Sequence, residues 1–346
     1  MSQTSSTGTG AARPLDHRFS VAPMMDWTDR HCRWFHRLLA PEALLFTEMV
    51  TSGAIRFGDR ARLLDHDAAE HPVVLQLGGS EPEEMAEAVR LAEPWGYAGY
   101  NLNCGCPSDR VQRGRFGACL MREPERVCEV LAAMRTATAG EVSVKCRIGV
   151  DDCADDAFLE RFVTTSAESG VDTFVVHARK AWLQGLSPKE NREKPPLRYA
   201  VVERLKRRHP ELRVVLNGGL RDPAEIRAAR RWADGVMVGR EAYQNPGALP
   251  ELLAAALDRP VAALDDEYVL AALQDRVDAL RCAGIPAAAL LRHVLGLFQG
   301  RPGARRWRRL LSERMRDAEV GAELVAQAAA GLAPHAGDLG AQASAA

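Results

Sequence analysis

The sequence has almost no net charge. Lys and Arg number 45 and Asp and Glu 46, which leaves −1 at pH 7. No global field draws such a chain to nucleic acid, so any contact with a polyanion must come from local basic patches. Nowhere does a run approach the roughly 18 consecutive apolar residues that a membrane-spanning helix needs. Met1 to Ala12 is rich in Ser, Thr and Gly and has no apolar core. It reads as a disordered tail rather than a secretory signal. The eight cysteines, at 32, 104, 106, 119, 128, 146, 153 and 282, are scattered. They read as reduced thiols, and the expected compartment is the cytoplasm. Cys104 and Cys106 stand two apart, but zinc sites use C-x2-C pairs with further Cys or His at set spacing. None is found, so no metal is expected.

What is present is a long chain, 346 residues with 47% hydrophobic and 26% charged content, enough for a barrel and a smaller module. β-rich runs alternate with helical stretches from Phe19 to about Leu253. The runs are Phe19–Met24, Leu44–Val50, Val73–Gly78, Gly99–Asn103, Val142–Ile148, Thr173–Ala178, Val214–Gly218 and Gly235–Gly239. Most are nearly continuous apolar, as parallel strands buried on both faces must be. Helix starts stand between them. Ser80-Glu81-Pro82-Glu83 and Asp222-Pro223-Ala224-Glu225 each offer an N-cap, a proline in the first turn and a capping-box Glu. Asp155-Asp156 places acid where a helix dipole favours it. Eight strand–helix units predict a TIM (β/α)8 barrel, an α/β fold, with a doubly wound sheet as the alternative.

Strand signals vanish after about residue 255. Leu270, Leu273, Val277 and Leu280 lie at helical spacing, as do Leu290, Leu291, Val294 and Leu295. Gly284-Ile285-Pro286 and Arg301-Pro302-Gly303 break the run. The expected organisation is a tail over 1–17, a barrel over 18–255, a small C-terminal α-helical bundle over 256–332 and a second tail over 333–346.

Barrel active sites lie at the C-terminal ends of the strands, and unusual residues fall there at all eight runs. Asn217-Gly218-Gly219 ends the seventh, where glycine lets a phosphate approach backbone N–H groups. Gly239-Arg240 ends the eighth, adding a guanidinium suited to bidentate phosphate contact. A phosphate there implies a nucleotide-type cofactor. Lys145 and Gln76 then point at its ring system, a cation and an amide of the kind that stabilise a reduced flavin. His177 stands at a strand end beside Arg179. Asn101 to Arg110 holds Cys106, forced into extended backbone by Pro107 and free to act as nucleophile, ligand or proton donor. Cys104 reads as a small buried filler.

Ala22-Pro23-Met24-Met25-Asp26, Asn101–Arg110, His177-Ala178-Arg179, Asn217-Gly218-Gly219 and Asp234–Arg240 together resemble the tRNA-dihydrouridine synthases. HARKAWLQGLSPKENR, from His177 to Arg192, resembles the bacterial A subgroup. The resemblance runs from about Arg18 to Ser312. It implies reduction of uridine in the D-loop of tRNA, at positions 20 and 20a. Hydride would pass from reduced FMN to C6 and a proton from Cys106 to C5, with NADPH as electron source. It also implies that Pro23, Met24 and Met25 pack on the flavin, that Lys145 and His177 contact it, and that Asn103 helps hold base or flavin. No G-x-G-x-x-G motif marks a pyridine-nucleotide site.

Two basic clusters suit tRNA. One is Lys189, Arg192 and Lys194 in the loop 185–196. The other is Arg301, Arg305, Arg306, Arg308 and Arg309 around Trp307, with Arg305 and Arg308 on one helix face. No protein partner is evident and a monomer is expected. Three rival readings remain: an FMN barrel acting on a small pyrimidine, a Schiff-base lyase using Lys145, and a non-catalytic RNA-binding barrel.

Overall fold

The computed structural model describes residues 14–153, 156–261, 264–317 and 319–332. The expected tail over 333–346, and all but the end of that over 1–17, lie outside them.

Nine strands form one parallel sheet among the described residues: β1 (Phe19–Val21), β2 (Leu45–Phe46), β3 (Val50–Thr51), β4 (Val73–Gly78), β5 (Gly99–Cys104), β6 (Glu141–Arg147), β7 (Thr173–His177), β8 (Arg213–Asn217) and β9 (Gly235–Val238). The order runs β1-β9-β8-β7-β6-β5-β4-β2. Leu44 N–H donates to Phe19 O and Val21 N–H to Leu44 O, both at 3.0 Å, so the second stave returns to the first. The ring closes, and the fold is the expected TIM barrel, not an open sheet.

One stave departs from expectation. The run Leu44–Val50 is not one strand but β2 and β3, both paired with β4. Thr47 explains the break. Its Oγ1 accepts the Gln76 N–H at 3.0 Å and donates to Glu48 O at 2.7 Å. The hydroxyl does the work of a ladder carbonyl, and the chain bends out past it. The first stave also stops earlier than read, at Val21, two residues before Pro23.

The barrel has two cores. Leu44, Phe46, Val74, Val175, Val215 and Met237 fill the lower interior, as inward side chains of alternate strands do in such barrels. A larger cluster lies between sheet and helices, with Leu75, Leu102, Val144 and Phe174 facing it. Cys104 belongs to that outer cluster and is fully buried.

Helix starts follow local chemistry in part. Asp222 and Glu225 make the reciprocal capping box expected of them. Ser80 does not cap: the helix Pro82–Ala92 has Glu81 at its N-cap and no side-chain cap bond. Asp156 opens the helix Asp156–Ala167, while Asp155 is outside the described residues.

Residues 264–317 and 319–332 contain helices and no strand. Helix Asp266–Cys282 buries Val269, Leu273, Val277 and Leu280. The spacing Leu290 to Leu295 predicts a longer helix than forms, because Ala288–Leu291 stops at four residues. A Cβ on Gly296 would stand 2.2 Å from Gln244 O. Close approach to the barrel overrides the helical period there. Trp307 is fully buried; its Nε1 donates to Val294 O at 3.0 Å and its ring meets Phe298 edge-on. The arginine-flanked tryptophan is therefore core, not a surface for stacking a base. Asp29 joins the two regions. It caps helix Arg30–Leu39 through the N–H groups of His31 and Cys32 and binds His293 Nε2 at 3.0 Å and Arg292.

Candidate active site

A cavity of about 810 Å3 opens at the C-terminal ends of the strands, within the range of small-molecule sites. It collects residues from every part of the ring. Pro23, Met24 and Met25 follow β1, Gln76 lies on β4, and Asn103 and Cys106 come from β5 and its loop. Lys145 and Arg147 come from β6, His177 and Arg179 from β7, Asn217, Gly218 and Gly219 from β8, and Gly239 and Arg240 from β9. Arg192 reaches it from the loop above.

The upper barrel interior is a polar ladder. Gln76 Nε2 donates to Asn101 Oδ1 (2.9 Å) and Gln76 Oε1 accepts from Asn103 Nδ2 (2.8 Å). Asn101 Nδ2 continues to Ser143 Oγ at 2.9 Å. Asn103 Oδ1 then accepts the N–H groups of Gly105 and Cys106, both at 3.0 Å. Strand alternation aims these amides inward, and buried amides must be paired. The outcome for Cys106 is a backbone fixed from the barrel interior. Its Sγ, half-buried, donates to Ser108 Oγ at 3.5 Å.

Lys145 Nζ donates to Asn217 Oδ1 at 2.9 Å, and Asn217 Nδ2 donates to Met237 O at 2.7 Å. Burial, followed by the nearby Arg147 charge, pushes the Lys145 ammonium down to about 8. Burial is again the first cause for His177, ahead of Arg147 and Lys145, and holds its imidazole well below the ordinary value. His177 is neutral at pH 7 and presents one donor and one acceptor.

Glycines line the cavity at the ends of β8 and β9. Gly218 (φ +112°) and Gly219 (φ +74°) adopt backbone that L side chains rarely take. A Cβ on Gly218 would stand 2.5 Å from His177 Cδ2. Among the described residues the N–H groups of Gly218, Gly219 and Arg240 have no hydrogen-bond partner. Three such donors beside a lysine fit a phosphorylated ligand. Asn217 itself is not part of that cradle but the anchor of Lys145. The Arg240 guanidinium is also committed elsewhere: Nη1 binds Glu193 Oε1 at 2.6 Å and Nη2 binds Arg192 O at 3.1 Å. The side chain expected to contact a phosphate is thus already paired within the protein.

Arg147, at the end of the fifth run, was given no role by the sequence. It is 4% exposed. Nε donates to Gly105 O (2.8 Å), and Nη1 donates to Lys180 O (3.1 Å) and Asn191 O (2.9 Å). Its place two residues after Lys145 puts it on the same face of β6, which alternation alone could have shown. Arg179 plays a parallel part, with Nη1 on Pro195 O and on Glu193 O. Asp26 lines the cavity as well, as do Trp27 and Arg221, which were not anticipated. Lys189, Arg305 and Arg308 do not reach it. All three are exposed, the first in the loop 185–196 and the others on helix Ala304–Arg314.

The chain matches a family model described as dihydrouridine synthase over residues 20–332. The chain belongs to the dihydrouridine synthase family. These are flavin-dependent oxidoreductases that reduce uridine to dihydrouridine in tRNA. It is 55% identical over 311 residues to a tRNA-dihydrouridine(20/20a) synthase of Xanthomonas campestris pv. campestris, covering 90% of this chain and 92% of that one. Against the protein of that name from Yersinia pestis it is 51% identical over 332 residues, 96% of each chain. A solved 2-naphthoyl-CoA reductase complex aligns with a TM-score of 0.53 at 11% identity, over 70% of this chain and 50% of that one. That likeness shows the barrel fold alone.

Proposed function

We propose that the chain reduces uridines 20 and 20a of the tRNA D-loop, with FMN in the cavity and Cys106 as the proton donor to C5. The observation that carries this is the convergence of Cys106, Lys145, His177 and the Gly218–Gly219 turn on one cavity mouth. When bound, FMN supplies the hydride that reaches C6. The residues around it have separate tasks. Gly218, Gly219 and Arg240 N–H groups hold the phosphate, Lys145 offers a cation to the ring, and Met24 and Met25 cover its face. Asn103 keeps the Cys106 backbone fixed, so the thiol stands ready to give its proton from the opposite side of a flat base. The target uridine has to leave its stack to enter, and loop uridines do so at low cost.

Residues 256–332 act as a tRNA-binding module in this reading, with Arg305 and Arg308 on phosphates and Lys189 and Arg192 at the cavity rim. Arg305, Arg308 and Arg309 are exposed and unpaired among the described residues, which supports phosphate contact. Arg301 does not share that role, because it is bound to Asp266 at 2.6 and 3.0 Å. The expected electron donor is NADPH, the compartment the cytoplasm and the working state a monomer. Among the described residues no helix is long and apolar enough to cross a membrane.

The test is direct. Purified protein is expected to be yellow, to bleach with NADPH and to place dihydrouridine at 20 and 20a of a tRNA transcript read by reverse-transcription mapping. A colourless protein, or a bleached one that leaves tRNA unchanged, would reject the reading.

A further inference from the structure

A second hollow of about 750 Å3 opens beside the first. One wall is Ser108 and the helix Asp109–Arg113; the other is the segment 183–188. Ser108 and Pro188 line both cavities, so the two adjoin beside the Cys106 loop. Gln112 ties the walls together, its Nε2 donating to Pro107 O at 2.9 Å and to Leu183 O at 2.6 Å. The hollow is therefore braced from within.

Its chemistry is polar and cationic. Arg113 lines it, and Arg110 and Arg115 are exposed on the same turn. Among the described residues none of these three guanidinium groups has an ion pair or hydrogen bond. Other arginines near the surface are held in ion pairs, as Arg56, Arg126, Arg204 and Arg208 are. Asp109, the single carboxylate in the lining, is suited to a ribose hydroxyl, and no aromatic ring is present for an apolar peptide.

A base swung into the catalytic cavity drags its backbone with it, and that backbone must leave through a neighbouring channel. We infer that this second hollow holds the nucleotide adjoining the uridine being reduced, with Arg113 on its phosphate. The inference rests on the tRNA reading above. It assigns the flanking nucleotide a built site at the rim of the Cys106 loop, where its grip also sets how the target ribose enters.

The experiment uses the flavin-loaded enzyme and tRNA carrying a single methylphosphonate beside the target uridine. Arg113→Ala is expected to raise KM for unmodified tRNA roughly fivefold and to lower the salt slope of binding by about 1, as loss of one phosphate contact does. Turnover at saturation stays near wild type, and flavin content and NADPH-driven bleaching without tRNA stay unchanged. Arg113→Lys recovers most of the loss. The methylphosphonate weakens tRNA use by wild type but adds nothing in Arg113→Ala. Wild-type KM and salt slope in Arg113→Ala, or an equal methylphosphonate penalty in both enzymes, overturns the inference while leaving the wider reading in place. A wild-type enzyme that makes no dihydrouridine rejects that reading and this inference with it, before any variant is compared.

Discussion

The Lys145 ammonium and the Asn217 carboxamide meet at 2.9 Å across the barrel mouth, one from β6 and the other from β8. With Asn217 in turn held on Met237 O, the cation is fixed before any ligand arrives. Preorganised charge of this kind does not have to reorient during reaction.

That cation has a pH window. Lys145 is lowered to about 8, chiefly by burial, so it loses its proton as pH rises through that value. Flavin retention is expected to weaken across pH 8 to 9 in wild type and to lose this step in Lys145→Met. Apoprotein stability moves the other way. The unfolded lysine binds its proton up to its ordinary value near 10.4, so between about 8 and 10 the unfolded state holds more protons and stability rises with pH. Equilibrium dialysis of FMN and urea melts of the apoprotein check the two signs.

Replacing Cys106 by Ala is expected to lower dihydrouridine formation by at least about 100-fold, the lower end for loss of a positioned general acid. Flavin binding and NADPH-driven bleaching persist, because the cysteine is held by its backbone N–H on Asn103. A fully active Cys106→Ala enzyme would remove the proton-donor role.

Gly218→Ala tests the phosphate turn. At φ +112°, with His177 2.5 Å from the added methyl, the substitution costs about 1–3 kcal/mol of backbone strain before any steric shift. The expected outcome is a folded protein depleted of flavin, read from the absorbance ratio of flavin to protein.

Arg147→Ala removes three hydrogen bonds from a buried guanidinium to carbonyls of Gly105, Lys180 and Asn191. A loss of about 3 kcal/mol is expected, given the strength of charged hydrogen bonds. The Cys106 loop and the segment 181–196 should both gain protease sensitivity. Protection equal to wild type in limited proteolysis would show that Arg147 does not staple them.

Arginines on helix Ala304–Arg314 separate by role. Arg305→Ala with Arg308→Ala is expected to reduce the salt slope of tRNA binding by about 2 and leave stability near wild type. Arg301→Ala lowers stability instead, through its lost pair with Asp266. Filter binding at several salt concentrations and thermal melts distinguish these outcomes.

Much of the site was legible because strand ends carry it. Cys106-Pro107, Lys145, His177 and Gly218-Gly219 each break a local expectation for a buried parallel strand or its loop, and all converge in space. What the sequence left open has a different cause. Trp307 sits among arginines in the chain, but the helical turn points it into the core and them to the surface. Arg240 follows a glycine at a strand end, but Glu193, 47 residues earlier, takes its guanidinium. Arg147 hid beside Lys145 because its partners are carbonyls of distant segments, which leave no mark in its own neighbourhood.

Sequence by itself determined the alternation of strands and helices, the glycines that permit the tight turn after β8, and the placing of a proline after Cys106. These are local matters of backbone freedom and hydrophobic period. Tertiary structure alone decided which polar groups pair across the ring: Gln76 with Asn101 and Asn103, Lys145 with Asn217, Arg147 with three carbonyls. Such pairs join residues tens of positions apart, and a buried donor must find whichever acceptor the closed barrel brings within reach.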